Sequence, residues 1–417
     1  CGLKPSSYEK RKVSETDPVD IYREVKNAYL MWNRPEKMYI DFTGGTKAMS
    51  AACALAGAII DVRMIYVASD DYLVDFRKPN PGSERLVYID NPLSVFGDLE
   101  EEKAYKLFGE YNFSGAKELL GRIEPSIPDP MKRQEVHFAY LLADAYSKWD
   151  DLDLSAAARG MEELVNQLER DHTRFQGNRL VEMREVLSCQ RDQLLILSGI
   201  PTMISDRHQE EILKKKDVIT ALMFTMRLSA YTRESQGKND MAALLMSRLL
   251  EMIEQRRLSR YNLFVSDMKY DCLRPNTRRV PEISDMSAEE RIEWLTDEVT
   301  ALKDEVFRSR RRPQYRQSLP NPVSLMEGFI LLSALHDPVI YSEGKERINV
   351  LQKLRAKVVL RNNSIFAHGL GPVSAEDYTK FRDFVEDMFI RFCKIEKIDI
   401  GEMMGIFRWI SPVDEEV

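Results

Sequence analysis

Hydrophobic and polar residues follow two different periods along the chain, and the change of period divides it into two parts. In the N-terminal part, the short apolar runs Lys37 to Phe42 and Val62 to Ala68 alternate with the amphipathic helical patterns Val19 to Trp32 and Thr46 to Ile60. This alternation predicts a β-loop-α-β unit of an open α/β sheet. From Asp98 onwards, apolar residues recur at helical spacing, which predicts a helical region.

Two more strands, Leu73 to Arg77 and Arg85 to Asp90, are predicted, and the turn residues K-P-N-P-G-S join them into a hairpin. The remaining periodic segments predict helices. In chain order these are Asp98 to Phe108, Phe113 to Ile123, His137 to Trp149, Ser155 to His172, Leu180 to Leu197, Lys214 to Tyr231, Asp240 to Arg257, Ser287 to Phe307, Val323 to His336 and Ala375 to Lys394. The segment from Ile212 to Lys394 predicts a bundle of about four or five helices.

These patterns divide the chain into three predicted domains. Residues 1–97 form a partial Rossmann-like α/β domain, residues 98–205 a helical connector and residues 206–417 a helical bundle. The predicted fold class is therefore α/β plus all-α. Because the sequence enters the sheet through a helix, we expect the first strand to lie upstream of Cys1, in preference to a lipoprotein N-terminus at Cys1-Gly2.

Composition narrows the function classes. The chain has 417 residues, of which 44% are hydrophobic and 30% charged, enough for two or three cores of a soluble protein. No apolar run approaches the ~18 residues that would span a membrane. The five cysteines include no C-x-x-C, which indicates reduced thiols in a cytoplasmic protein. A net charge of -7 limits any RNA contact to a local surface.

The loop T-G-G-T-K, Thr43 to Lys47, lies where the first predicted strand gives way to a helix. Ligands of open α/β sheets bind at the C-terminal ends of the strands. Gly44 and Gly45 let the backbone approach a ligand. The hydroxyls of Thr43 and Thr46 can bond it, and Lys47 together with the helix N–H groups favours an anion. The loop is neither a Walker loop nor a dinucleotide fingerprint. It predicts a phosphate site, and the alternative is a tight structural turn with a surface lysine.

A second motif, R-N-N-S-I-F-A-H, runs from Arg361 to His368 near the predicted C-terminal end of a helix. Residues seven apart share one helix face, roughly 10 Å apart along the axis. When a ribose 2′-hydroxyl attacks the adjacent phosphate, a histidine can relay protons near pH 7 and a guanidinium can stabilise the phosphorane oxygens. Asn362 adds a neutral hydrogen-bonding group. The alternative is a histidine that complements the helix dipole.

The two motifs together resemble those of a known family. Arg-Asn-x5-His resembles the catalytic motif of the HEPN ribonucleases, and D-F-T-G-G-T-K-A-M resembles the ligand loop of the CARF domains, Rossmann-fold sensors of cyclic oligoadenylate. The chain looks like a CARF-HEPN ribonuclease of type III CRISPR systems, from the branch with a long helical connector. The resemblance implies that Arg361, Asn362 and His368 cleave single-stranded RNA to 2′,3′-cyclic phosphate ends without a metal or other cofactor. It also implies that cyclic oligoadenylate binds at Thr43 to Lys47 and activates cleavage.

The number of catalytic motifs predicts an oligomer. One chain carries a single R-x6-H, whereas in-line attack needs groups on both sides of the phosphorus. We therefore expect a two-fold homodimer that pairs two such helices and two T-G-G-T-K loops, with no membrane contact and no stable partner of another kind. Two alternatives stay open. A ligand-independent HEPN toxin nuclease would cleave without an activator, and a non-catalytic nucleotide-sensing dimerisation module would not cleave RNA.

Two further features concern the predicted bundle. Arg310, Arg311 and Arg312 cluster around Tyr315, and a basic loop with an aromatic residue can hold single-stranded RNA by phosphate pairing and stacking. The alternative is a solvated loop between helices. His336, at the end of a predicted helix and before Asp-Pro, is interpreted as a helix cap and not as a second catalytic base.

Overall fold

The computed structural model describes residues 4, 7–73, 78–89, 98–307, 318–341, 344–362 and 370–413, and of Arg361 and Asn362 it describes the backbone. The chain divides into two compact units. The first comprises Cys1–Leu107 with Gly115–Tyr140, and the second Phe108–Ser114 with Leu141–Val417. A small sheet lies in the first unit and helices form the second, so the predicted class of α/β plus all-α is confirmed.

Among the described residues of the first unit there are five short strands. They are β1 (Tyr39–Asp41), β2 (Arg63–Ser69), β3 (Tyr72–Leu73), β4 (Lys78–Pro79) and β5 (Glu84–Ile89). Three of them form a sheet in the order β1-β2-β5, in which β1 runs parallel to β2 and Ile40 lies opposite Met64. The parallel pairing is that expected of a β-loop-α-β unit, because a helical crossover returns the chain to the same end of the sheet.

Of the predicted hairpin between Leu73 to Arg77 and Arg85 to Asp90, residues 74–77 and Asp90 lie outside the described residues, and the described pairings differ from the prediction. Strand β5 pairs antiparallel with β2 over Met64 to Ser69, while β3 pairs with β4 in a separate ribbon. The predicted turn is confirmed, since Asn80, Gly82 and Ser83 do form a turn. Which strand then pairs with β5 depends on the exposed edge of β2, and that is not a local property of the sequence.

Helices α1 (Pro18–Met31) and α2 (Lys47–Ile60) pack against each other in the first unit. α2 lies close to the sheet at Gly57, where an ideal Cβ would come 2.8 Å from Met64 Cγ. Only glycine allows this separation, because real Cβ atoms do not approach a neighbour that closely. The close approach fixes the C-terminal part of α2 against β2.

The helices after the sheet carry the rest of the fold. They are α3 (Asp98–Gly109), α4 (Phe113–Ile123), α5 (Pro130–Asp150), α6 (Leu154–Asp171), α7 (Arg179–Glu182), α8 (Arg184–Ser198), α9 (Asp206–Lys214), α10 (Lys216–Ser235), α11 (Asn239–Ser259), α12 (Ala288–Phe307), α13 (Leu325–Ala334), α14 (Gly344–Asn362), α15 (Ala375–Glu396) and α16 (Ile400–Ile406). None of the helices within the described ranges is long and apolar enough to cross a membrane.

The core of the second unit is built around α11, which packs against α10, α13 and α15. Its buried leucines and isoleucine, Leu249, Leu250 and Ile253, are fully excluded from solvent. α13 begins close to the predicted start at Val323, and Ser324 and Glu327 form a reciprocal capping box there. α11 therefore serves as the common support for the helices on either side of the predicted catalytic stretch.

An aromatic cluster holds the C-terminal segment of the second unit. The ring of Trp409 lies 4.7 Å from that of Tyr146 and 5.4 Å from that of Trp149, centroid to centroid. The buried amide of Gln190 accepts a hydrogen bond from the Tyr146 hydroxyl and donates to the carbonyls of Ile406 and Arg408. These contacts join α5, α8 and the segment after α16, and helix α16 itself was not predicted from the sequence.

Candidate functional site

The loop after β1 is fixed by hydrogen bonds of Thr43. Asp41 Oδ1 accepts from the Thr43 backbone N–H at 2.9 Å and from the Thr43 hydroxyl at 2.6 Å. The same hydroxyl oxygen accepts from the Val67 N–H of the neighbouring strand at 2.8 Å. The hydroxyl bond, followed by the backbone bond, lowers the pKa of Asp41. The Thr43 side chain therefore already has partners in the protein and shapes the loop.

Thr46 also has a structural role in the loop. Its hydroxyl caps α2 by accepting from the Met49 N–H at 3.2 Å, and it donates to the Glu15 carbonyl at 3.0 Å. The sequence suggested both threonine hydroxyls as ligand contacts. In the structure, both form bonds within the chain, so the donors left for an anion come from elsewhere in the loop.

Those donors are backbone groups and one lysine. The N–H groups of Gly44, Thr46 and Lys47 make no hydrogen bond with any other described residue, and neither does the Lys47 ammonium group. Lys47 is exposed at the first position of α2, and the space beside Gly44 is open to at least 4 Å from an ideal Cβ. Free N–H groups at a helix N-terminus attract anions. The loop therefore offers several free donors to an anion, and the phosphate site stays a prediction.

The second predicted site begins at the end of α14. Arg361 and Asn362 are the last residues of this helix, and their side chains are not described. His368 lies outside the described residues, as do Arg310, Arg311, Arg312 and Tyr315. Their roles therefore stay predictions from the sequence.

α14 is held on the bundle at several points along its length. Leu351 and Leu354 are fully buried. Arg347 donates to the hydroxyl and carbonyl oxygens of Ser333 and pairs with Glu298 at 3.6 Å. Arg355 donates to the Val306 carbonyl at 3.3 Å. These contacts fix the direction of α14 on the bundle.

The chain after the catalytic stretch is anchored as well. The N–H of Val373 donates to both carboxylate oxygens of Asp240, each at 3.2 Å, in the first turn of α11. Ser374 then caps α15 by accepting from the Asp377 N–H at 3.1 Å. Helices on both sides of the stretch from Arg361 to His368 are thus attached to α11, directly or through α13.

Lys357 is a cation near the catalytic stretch that the sequence analysis did not single out. It precedes Arg361 by one turn of α14, so the two residues share a face of the helix. Burial and then repulsion from Lys380 lower the pKa of Lys357. The i, i+4 spacing to Arg361 is the signal that could have indicated it.

His336 is part of a packed structural group. It follows α13 with a positive φ of 54°, and its ring stacks on Tyr341 with centroids 4.2 Å apart. Its Nδ1 lies 3.3 Å from the Arg279 carbonyl oxygen, and burial lowers its pKa. This position agrees with the interpretation of His336 as a helix-ending residue.

Within the described ranges, no group of three or more His, Cys, Asp or Glu side chains could hold a metal ion.

Comparisons with known proteins match most of the helical part of the chain. A family model described as the Csm6 HEPN domain matches residues 211–391, and one described as the Csm6 6H domain matches residues 96–189. The CRISPR system endoribonuclease Csm6 of Thermus thermophilus is 26% identical over 368 residues, which are 86% of this chain and 69% of that protein.

A solved structure is similar over almost the whole chain. It is the Csm6 of Enterococcus italicus bound to cyclic hexa-2'-fluoro-hexa-dAMP, with a TM-score of 0.50 and 14% sequence identity. The match covers 95% of this chain and 79% of that one. At this identity the similarity concerns the fold alone.

Proposed function

We propose, from the premise that this chain belongs to the Csm6 family of CARF-HEPN ribonucleases of type III CRISPR systems, that it is an endoribonuclease activated by cyclic oligoadenylate. One observation carries the proposal. The Csm6 HEPN domain model matches residues 211–391, and this range includes the Arg361 to His368 motif at the end of α14. The enzyme acts on single-stranded RNA in antiviral defence, in the cytoplasm.

The proposed chemistry is an internal transesterification. The ribose 2′-oxygen attacks the adjacent phosphorus, loses its proton and forms a 2′,3′-cyclic phosphate, while the 5′-oxygen leaves and gains a proton. His368 transfers one of these protons. Arg361 stabilises the charge on the non-bridging oxygens, and Asn362 orients the phosphate or the imidazole by hydrogen bonds. Each step uses protons and fixed charge supplied by side chains.

A homodimer completes the site in this proposal. The proton donor and the proton acceptor must lie on opposite sides of the phosphorus, and one helix cannot easily supply both. A two-fold axis that brings two α14 helices together would place two His368 and two Arg361 around one phosphate. The same axis would bring two T-G-G-T-K loops to one symmetric cyclic ligand.

The proposed activator site is the loop from Thr43 to Lys47. Its support is the set of free donors described above, namely the N–H groups of Gly44, Thr46 and Lys47 and the Lys47 ammonium group. A phosphodiester can accept from several of these donors at once, and the helix N-terminus adds a favourable dipole. Thr43 and Thr46 hold the loop in shape, because their hydroxyls are bonded within the chain.

The test is an analysis of the cleavage products. Labelled single-stranded RNA is incubated with the enzyme and cyclic oligoadenylate in EDTA, and the new 3′ ends are identified by mass spectrometry. We expect 2′,3′-cyclic phosphate ends with the wild type and almost none with His368→Ala. Products ending in a 3′-hydroxyl, or cleavage that EDTA abolishes, would refute the proposed chemistry. RNA that stays intact under all conditions would indicate a binding module.

A further inference from the structure

A cationic cavity lies in the second unit, away from the residues of the proposed chemistry. It has a volume of about 770 Å³ and opens between the end of α9, the last turn of α11 and the end of α15. Its rim carries five exposed cations: Lys214, Lys216, Arg260, Arg274 and Lys397. In a chain with a net charge of -7, this is a local concentration of positive charge.

The floor of the cavity is rigid and electrically balanced. Arg256 pairs with Glu396 at 2.9 Å and donates to the Lys214 carbonyl at 3.0 Å. Arg257 pairs with Asp337 at 2.7 Å and also with Glu396. Because two carboxylates match these two buried arginines, the floor contributes little net charge. It holds the rim in a fixed arrangement.

Four of the five rim cations have no anionic side-chain partner among the described residues, whereas Lys214 pairs with Glu210 at 3.6 Å. The guanidinium groups of Arg260 and Arg274 form no hydrogen bond or ion pair with any residue in the described ranges. Lys397 has no side-chain partner there either, while Lys216 donates to the Lys397 carbonyl at 3.3 Å. Beneath them, the buried Nε of Arg256 is also without a hydrogen-bond partner among the described residues. The four unpaired rim cations and the Nε–H of Arg256 can bind an anion without breaking any existing ion pair.

The shape and lining of the cavity indicate which anion it fits. A volume of about 770 Å³ exceeds what a single inorganic ion needs and lies in the range of ligand sites, roughly 300–1,000 Å³. Among the described lining residues, the only aromatic side chain is Tyr261, which is buried and donates to Asp337 at 2.8 Å. The described lining therefore offers no aromatic face for stacking a base. The lining suits a chain of phosphates read without regard to sequence.

The position of the cavity relates it to the catalytic stretch through α11. The cavity lies beside Arg257, whereas Asp240 at the other end of the same helix binds Val373, which closely follows His368 in the chain. At 1.5 Å per residue, the two ends are roughly 25 Å apart. At a phosphate rise of about 3.4 Å, a stacked strand covers this length with about seven nucleotides.

We infer that the cavity formed by Lys214, Lys216, Arg260, Arg274 and Lys397 is a second RNA site, which binds the phosphodiester backbone of single-stranded RNA beyond the cleaved bond. This inference rests on the proposed function in taking RNA as the polyanion. Its consequence is a dependence on substrate length. RNA long enough to span α11 gains affinity from the cavity, and a very short oligonucleotide does not.

The test uses the full chain and two charge-reversed double variants. Arg260→Glu with Arg274→Glu alters the rim of the cavity. Arg159→Glu with Arg170→Glu makes the same change of net charge on exposed positions of α6. Binding of a non-cleavable 2′-O-methyl RNA of about 25 nucleotides, and of its trinucleotide, is measured by fluorescence anisotropy over a range of salt concentrations.

We expect the cavity variant to lose at least about tenfold in affinity for the long RNA, and the control variant less than about twofold. The slope of log K against log salt should fall by about 1.4 in magnitude, since each phosphate contact on a single strand contributes about 0.7. With cleavable RNA, KM for the long substrate should rise by a similar factor while kcat stays the same. KM for the trinucleotide should not change.

Three outcomes would overturn the inference. The first is an unchanged affinity of the cavity variant for the long RNA, and the second is an equal loss of affinity for the trinucleotide. The third is an equal loss of affinity for inorganic pyrophosphate, which would indicate a small-anion pocket. Because the binding measurement uses RNA that cannot be cleaved, it is independent of catalysis. A wild type that binds long RNA through the cavity but does not cleave would refute the proposed function and leave this site intact.

Discussion

The carboxylate of Asp240 accepts the backbone N–H of Val373 with both oxygens, each at 3.2 Å. This contact ties the first turn of α11 to the segment that follows the stretch from Arg361 to His368. α14, on the other side of the stretch, rests on α13, which packs against the same helix. α11 therefore anchors the described residues on both sides of this stretch.

Loss of this tie should reduce the rate of cleavage. Asp240→Ala leaves the Val373 N–H without its charged acceptor, a bond worth about 1.5–3 kcal/mol. If loss of this bond lets the segment before Val373 move and misplaces His368, kcat should fall about tenfold with little change in KM. Asp217→Ala, which removes an exposed first-turn aspartate of α10, is the control. The two variants are compared by steady-state kinetics on a short RNA. An equal kcat for Asp240→Ala and Asp217→Ala would argue against a positioning role for Asp240.

The catalytic pair makes the strongest prediction about activity. His368→Ala should lower RNA cleavage by about 10²-fold or more, as expected for loss of a general acid or base. Arg361→Lys should also be poor, because a point charge does not replace a planar fork. His172→Ala is a suitable control, since among the described residues this exposed histidine bonds only the carbonyl of Glu169 in its own helix. Near-normal cleavage by His368→Ala in single-turnover assays would remove His368 from the mechanism.

Lys47 should control activation without taking part in cleavage. In the proposed dimer two copies of the loop contact one ligand, so Lys47→Ala removes two charged contacts of about 1.5–3 kcal/mol each. The concentration of cyclic oligoadenylate at half-maximal activation should rise at least about a hundredfold, with much of the rate recovered at saturation. Lys26→Ala, at an exposed position of α1, should leave the midpoint unchanged. An unchanged midpoint for Lys47→Ala would make T-G-G-T-K a structural turn.

The buried carboxyl group of Glu254 should make the stability of the second unit depend on pH. Its carboxyl is buried against Gly328, Oε1 has no hydrogen-bond partner among the described residues, and burial raises its pKa well above the ordinary value. Because this pKa is raised in the folded state, the contribution of Glu254 to the free energy of unfolding is complete below the unfolded pKa of about 4.3. That contribution is lost as pH rises through the folded pKa.

Glu254→Gln, which imitates the protonated form, should therefore match the wild type near pH 4. It should melt higher in alkaline buffer, by about 2 to 4 °C for each kcal/mol gained. Glu162→Gln, at an exposed position of α6, should show no such trend. Calorimetric melting curves between acid and alkaline pH decide the question, and a difference between variant and wild type that does not grow with pH contradicts the account.

Local signals in the sequence predicted much of the fold. The start of α2 follows from Thr46, whose hydroxyl caps it, and the start of α13 from the Ser324–Glu327 box. Such signals act within one helical turn, so they are readable from a single sequence. The partner of β5 and the helix Ile400–Ile406 were missed because both depend on residues far away along the chain, as in the bonds of Gln190 to the segment around Ile406.

The candidate sites likewise combine features that local sequence predicts with features that depend on distant residues. The position of the T-G-G-T-K loop between β1 and α2 was predicted, but the bonds that Thr43 and Thr46 make with Val67 and Glu15 could not be. The cationic cavity was missed for a related reason. Its rim gathers Lys214, Arg260, Arg274 and Lys397 from separate parts of the sequence, where each reads as an ordinary surface cation.

The rate of cleavage of single-stranded RNA, measured in EDTA as a function of cyclic oligoadenylate concentration, tests the central claim most directly. The proposed function predicts slow basal cleavage that rises to a saturating rate as the activator is added, and that His368→Ala abolishes. The same rate with and without activator would contradict it in favour of a ligand-independent nuclease. Intact RNA at saturating activator would contradict it in favour of a module that binds but does not cleave.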